Sequence, residues 1–205
     1  MTKHTTHSAP LTRVARRSPR RLLKSATVLL LLLRALLPAV SVCGSAVRAE
    51  AAANSEYQVK AAFLYNFMKF VDWPGDGLST PGTVTLGILG KDPFGEALDE
   101  VRGKTVKGRR VVVVHLRGID ELKECDLLYI CASERGRLSQ ILKTVQNAPV
   151  LTVADQDGFC QAGGMINLVS VKNRVGFEVN VAAAGRGRLR VSSQLLKLAR
   201  LVSEN

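Results

Sequence analysis

Residues 110–116, RVVVVHL, form an unbroken β-branched run with no polar alternation before the histidine. Such a run predicts a strand covered on both faces, which belongs in a parallel sheet flanked by helices rather than in a sheet open to water. Residues 126–132 (DLLYICA) repeat the pattern. Thr83–Leu89 and Val150–Val153 add two further strands. Between them lie helical stretches: a short one over about Phe94–Val101, and Ser133 to Val145 with Leu138, Ile141, Leu142 and Val145 on one face. Met165–Val171 and Arg174–Val179 read as a hairpin over Lys172-Asn173. The first element, Ser55 to Val71, has helical period, with Val59, Phe63, Phe67 and Phe70 as its apolar stripe. Ser55 serves as N-cap, and Pro74-Gly75 stops the element. A last amphipathic helix runs from about Ser192 to Val202, with Leu195, Leu198, Ala199 and Val202 inward. The fold class is α/β: one domain with a mostly parallel twisted sheet of about six strands flanked by helices, ending in a C-terminal β-hairpin and helix.

This domain is expected over residues 50–205. Residues 1–49 hold nine of the 29 Lys and Arg and no acid, leaving 20 bases against all 17 acids in the body, a net of +3. The basicity is therefore a property of the head, not of a nucleic-acid surface. Arg13, Arg16, Arg17, Arg20, Arg21 and Lys24 precede an apolar run from Ala26 to Val42, and small residues follow. That order describes a signal peptide cleaved after about Ala49. The alternative is an uncleaved membrane anchor, although Arg34 and Pro38 interrupt the run. Either way the body folds outside the cytoplasm, and the expected location is the periplasm.

Catalytic patterns are missing. Gly87-Ile88-Leu89-Gly90-Lys91-Asp92 has neither the spacing nor the Ser/Thr of a phosphate loop. There is no nucleophile elbow. His4 and His7 fall in the head, so His115 stands alone in the body, and a metal centre built from several histidines is excluded. His115 reads as a half-buried structural residue. Asp155 and Asp157 flank a turn, where acids ordinarily bond the backbone. No catalytic residue, metal or cofactor is expected, and no nucleic-acid partner.

Three cysteines remain in the body: Cys125, Cys131 and Cys160. Six residues along a strand separate the first two by roughly 20 Å, beyond the roughly 4.4–6.8 Å of a bridge. Within one chain, then, Cys125 or Cys131 can pair with Cys160, or all three stay as buried thiols.

Several motifs occur together in order. They are Tyr57-Gln58-Val59-Lys60-Ala61-Ala62-Phe63-Leu64-Tyr65-Asn66-Phe67 with Lys69-Phe70-Val71 and Trp73-Pro74; Gly90-Lys91-Asp92-Pro93-Phe94-Gly95; Pro149-Val150-Leu151-Thr152-Val153; Gly163-Gly164-Met165-Ile166; Arg174-Val175 with Phe177-Glu178-Val179-Asn180; and Ser192-Ser193 with Leu195-Leu196-Lys197-Leu198-Ala199. In these the body, over about residues 55–203, resembles the YfiR-like family of small periplasmic proteins. The resemblance implies an α/β fold, export and no catalysis. It implies a repressor that binds the periplasmic domain of an inner-membrane diguanylate cyclase and holds down cyclic-di-GMP synthesis. It also implies a homodimer in some members and a redox response through disulfides in others. The resemblance implies bridges that relatives often have, from a cysteine near Gly87 to Cys125 and from one near Asn167 to Cys160; both partners are missing here.

From the residues alone, the N-terminal aromatic segment offers a binding face. Tyr65, Asn66, Phe70 and Trp73 are its candidate partner- or ligand-binding residues, against the plainer reading that the stripe only packs a core. The alternative function is a periplasmic small-molecule binding or sensor protein.

Overall fold

The structure is a computed structural model, and it describes residues 55–75, 80–171 and 174–204. The head, with its signal-peptide reading, and the Lys172-Asn173 turn lie outside the described residues.

Helix α1 covers residues 55–70 and passes directly into β1 (Val71–Asp72). β2 (Thr83–Leu89) follows, then a 3-10 turn over Gly95–Leu98 and a small hairpin of β3 (Thr105–Val106) and β4 (Arg109–Leu116). β5 (Leu127–Ile130) leads through a 3-10 turn into α2 (Leu138–Val145). β6 (Leu151–Ala154), β7 (Ile166–Val171) and β8 (Arg174–Val179) complete the central part. The chain ends with α3 (Val181–Arg186), β9 (Arg190–Val191), α4 (Ser193–Leu196) and β10 (Arg200–Leu201).

Eight strands form one sheet in the order β10-β8-β7-β6-β5-β2-β4-β3, while β1 and β9 make a separate antiparallel pair. The run β4-β2-β5-β6-β7 is parallel throughout, and β7–β8 is the expected antiparallel hairpin, with Ile166 opposite Val179. The mostly parallel α/β reading holds. One face of the sheet carries α1 and a cluster that includes Leu64, Phe67, Leu86, Tyr129 and Phe177. The other carries α2 through Ile141, Leu142 and Val145, packed on Leu128, Ile130 and Phe159.

Four expectations change. β4 is not covered on both faces: Val111 and Val113 are buried, but Val112 and Val114 are only half-buried and His115 is exposed. It lies one strand from the sheet edge, and only a short 3-10 turn (Ile119–Glu124) connects it to β5. The covered strands are β5 and β6, buried at every residue. In α1 the inward side is Ala61, Leu64, Phe67 and Met68, and Val59 is 46% exposed. A helix apolar nearly all round leaves its orientation to packing, and Phe63 and Phe67 stack on Phe177 at 5.6 and 5.2 Å. The final helix stops after one turn. Ser192 caps it by accepting from the Leu195 N–H, then the chain extends so that Arg200 and Leu201 pair with Glu178 and Val179. Leu198, expected inward, is 76% exposed. Lastly, the stretch Ser133 to Val145, expected as one helix, is a 3-10 turn over Ala132–Arg137 followed by α2 from Leu138.

Asn180 explains the ending of the Phe177-Glu178-Val179-Asn180 motif. Fully buried, its side chain accepts from the Ala183 N–H at 2.9 Å, which starts α3, and donates to the Cys160 carbonyl at 2.9 Å.

Candidate functional site

Lys60 and Asp155 face each other where α1 crosses the ends of β5 and β6. The Lys60 ammonium is 2.7 Å from Asp155 Oδ2 and 2.8 Å from Glu56 Oε1. The Tyr57 hydroxyl donates to Asp155 at 3.2 Å, and its ring lies 4.4 Å from the Lys60 nitrogen. Burial by itself would lower the Lys60 pKa, but bonds to Asp155 and Glu56 outweigh it and hold the ammonium above its ordinary range. Burial, and then the Asp155 charge, raises Tyr57. Beneath them, Phe94 stacks edge-on with Tyr57 at 5.2 Å and with Tyr129 at 4.7 Å. The Gly90–Gly95 motif sets that ring: the Asp92 carboxylate accepts from the Phe94 N–H at 2.7 Å, closing a tight turn.

Gln156 extends the network. Its backbone N–H donates to Asn167 Oδ1 at 3.0 Å, and its side-chain amide donates to the carbonyls of Ile130 and Cys131. Asn167 in turn reaches the buried Glu178 carboxylate at 3.4 Å, and Glu178 pairs with Arg200. Two polar atoms in this region are buried without a partner, the Tyr129 hydroxyl and Gln156 Oε1. Burial first, and then Asp155, pushes the Tyr129 hydroxyl strongly up, so it stays protonated. A cleft of about 720 Å³ opens here, with Lys60, Asp155 and Gln156 in its wall and Val171, Leu198 and Arg200 among its other lining residues. It lies at the carboxyl end of β6, where open α/β sheets hold their ligands. Asp155 was legible only as a turn acid. No sequence signal linked it to Lys60, 95 positions earlier.

The four residues expected to form a binding face do not converge. Tyr65 is half-buried, donates its hydroxyl to the Thr105 carbonyl at 3.1 Å, and has the Lys69 and Lys104 ammoniums 5.4 and 5.3 Å from its ring. Asn66 is half-buried, and Phe70 packs against the core. Trp73 donates from Nε1 to the Asp126 carbonyl at 3.3 Å and stands between two cavities of about 890 and 220 Å³. Among the described residues, Lys107, Arg109, Arg188 and Arg190 line these cavities with one acid, Asp72, which pairs with Lys107 at 2.5 Å. Lys107 (φ 50°) and Gly108 (φ 78°) make the β3–β4 hairpin turn, and the Lys107 ammonium reaches back to the Val71 carbonyl at 2.7 Å. Trp73 opens onto a groove, and the described residues of that groove are mostly basic.

Cys125, Cys131 and Cys160 are free and buried; the structure contains neither of the bridges left open by the sequence. Cys125 packs with the α2 side of the sheet and Cys131 with the α1 side. Burial pushes their thiols up to about 12, 12 and 11 respectively, so none is a ready nucleophile. A Cβ at Gly87 would lie 3.0 Å from Cys125 Sγ. His115 is exposed rather than half-buried, with Nε2 2.7 Å from Asp92 Oδ2. Among the described residues no group of His, Cys, Asp and Glu is placed to hold a metal, and no helix is long and apolar enough to cross a membrane.

These features define a three-layer α/β domain with a polar cleft at one end of its sheet and a basic, tryptophan-centred groove. Residues 57–200 match the YfiR/HmsC-like family, and the chain belongs to that family. Two solved structures are similar, each at TM-score 0.43. One is the ABC domain in complex with L-Trp from Streptococcus pneumonia, at 11% identity over 62% of this chain. The other is a conserved domain protein from Vibrio cholerae, at 10% identity over 63%. The matches span 57% of each of those chains.

Proposed function

We propose that this protein is an exported, non-enzymatic regulator. In this reading it binds the periplasmic domain of an inner-membrane diguanylate cyclase and represses cyclic-di-GMP synthesis. Membership of the YfiR/HmsC-like family carries the reading, since that family includes periplasmic repressors of such cyclases. The Trp73 groove supports it. A half-buried indole among Lys107, Arg188 and Arg190 offers an aromatic anchor with a basic rim, suited to an acidic partner surface. Repression needs only a higher affinity for the inactive state of the cyclase than for the active one. The head acts as a cleaved signal peptide, and the body works as a monomer or a homodimer. Binding of the purified protein to the isolated periplasmic domain of the cyclase, measured by calorimetry, tests the reading. Saturable binding weakened by Trp73→Ala supports it, and no binding contradicts it.

A second reading, a small-molecule binding or sensor protein, is favoured by the Lys60–Asp155 cleft. The two readings combine if the ligand is the regulator's input.

A further inference from the structure

We infer that the cleft beside Lys60 and Asp155 binds a small protonated amine carrying a short apolar body. The inference rests on the small-molecule reading above and adds the chemical class of the ligand.

The wall of the cleft is rich in acceptors whose own cations are already engaged. Lys60 is held between Glu56 and Asp155, and Arg200 on Glu178. That leaves Asp157, which is exposed and has no ion pair among the described residues. It also leaves Gln156, 3% exposed, whose Nε2 is committed to two carbonyls while its Oε1 has no partner. A buried acceptor without a donor is uncommon in a folded protein and calls for a donor from outside the chain, an ordered water or a ligand. An ammonium group supplies such a donor. Among the described residues, three carboxylates, Glu56, Asp155 and Asp157, line the space against two cations, Lys60 and Arg200, both already paired, which disfavours a carboxylate or phosphate.

The rim supplies the other half of the ligand. Leu198 and Val171 are 76% and 59% exposed at the mouth of the cleft. Gly176 also lines the cleft, and a Cβ there would meet Val169 Cγ2 at 3.7 Å and the Val169 carbonyl oxygen at 4.0 Å, both ordinary contacts. Packing therefore does not demand glycine there, and the position leaves room for a ligand to come close. The volume of about 720 Å³ lies within the usual range for a small-molecule site.

The test uses three probes that share one alkyl chain: n-hexylamine, hexanol and hexanoate. Each is titrated into the purified protein at neutral pH and followed by thermal unfolding and calorimetry. Hexylamine is expected to give a saturable, one-site rise in Tm, hexanol a smaller one, and hexanoate none. Asp157→Asn should weaken hexylamine several-fold, and Gly176→Leu, which fills the cleft, should abolish its effect. Asp157 is exposed, so that variant remains informative if Gly176→Leu misfolds. Hexanoate matching hexylamine would overturn the amine assignment while leaving the cleft a small-molecule site. No response to any probe, or a hexylamine response unchanged in Asp157→Asn, would overturn the assignment of the site.

Discussion

Lys60 and Asp155, 95 positions apart, meet at 2.7 Å with side chains 6% and 11% exposed, and their contact fastens α1 to the end of β6. Removing one member of a buried pair leaves the other charge without compensation. Asp155→Ala should therefore cost about 3 kcal/mol in urea unfolding, softened by the Glu56 carboxylate that also holds Lys60. Replacing both, Lys60→Met with Asp155→Leu, should cost much less than the sum of the single changes. Additive losses would mean that the two do not act as a pair.

The same cluster sets a pH window. The bond from Lys60, and then that from Ser170, hold the Glu56 carboxyl below its ordinary 4.5. Its contribution is present above about pH 4.5 and is lost as pH falls through the lower folded value. Lys60 is held above 10.5, so its contribution is present below that pH and is lost as pH rises through the raised folded value. The urea midpoint should fall off on both flanks, and Lys60→Met should flatten the pH profile. An unchanged profile in that variant would contradict the coupling.

Much of this arrangement was legible in the sequence. β2 was expected at the residues it occupies, and β5, β6 and the β7–β8 hairpin within a residue or two, because buried β-branched runs leave little alternative. The two-residue strands β1, β3, β9 and β10 were not, since they are too short to carry a period and form only where a partner edge is present. β10 shows the cost: Leu198, Ala199 and Val202 have helical spacing, but the exposed edge of β8 captures the chain after one turn of helix. Trp73 could be singled out as an aromatic beside a helix stop. Its basic surroundings come from two other segments, the β3–β4 turn and the α3–β9 connection, and appear only in the fold. Asp155 carried no sign of its partner because a long-range ion pair leaves no periodic trace.

The three body cysteines should be inert in the native protein. Their buried thiols, at about 11 to 12, predict no labelling by iodoacetamide at neutral pH until the chain is unfolded. All three should then label without a reductant, whereas two that stay blocked would reveal a bridge. Gly87→Cys should oxidise to a disulfide with Cys125. The Cβ atoms would lie 3.0 Å apart, closer than the roughly 3.5–4.5 Å of a relaxed bridge, so the gain should fall below the about 4 kcal/mol expected from loop closure.

Asn180 joins three segments through one amide. Asn180→Ala removes the cap of α3 and leaves the Cys160 carbonyl without its donor, and should cost about 2–3 kcal/mol. Asn180→Ser keeps an N-cap acceptor without burying a charge but loses the donor to Cys160, and should cost less. Equal losses for both variants would assign the whole effect to the Cys160 contact.

The regulatory reading is tested most directly by cellular cyclic-di-GMP in a strain lacking this protein and retaining the cyclase. The account predicts a rise on deletion, reversed by the wild-type chain and not by a folded, exported Trp73→Ala variant. An unchanged level after deletion would contradict it.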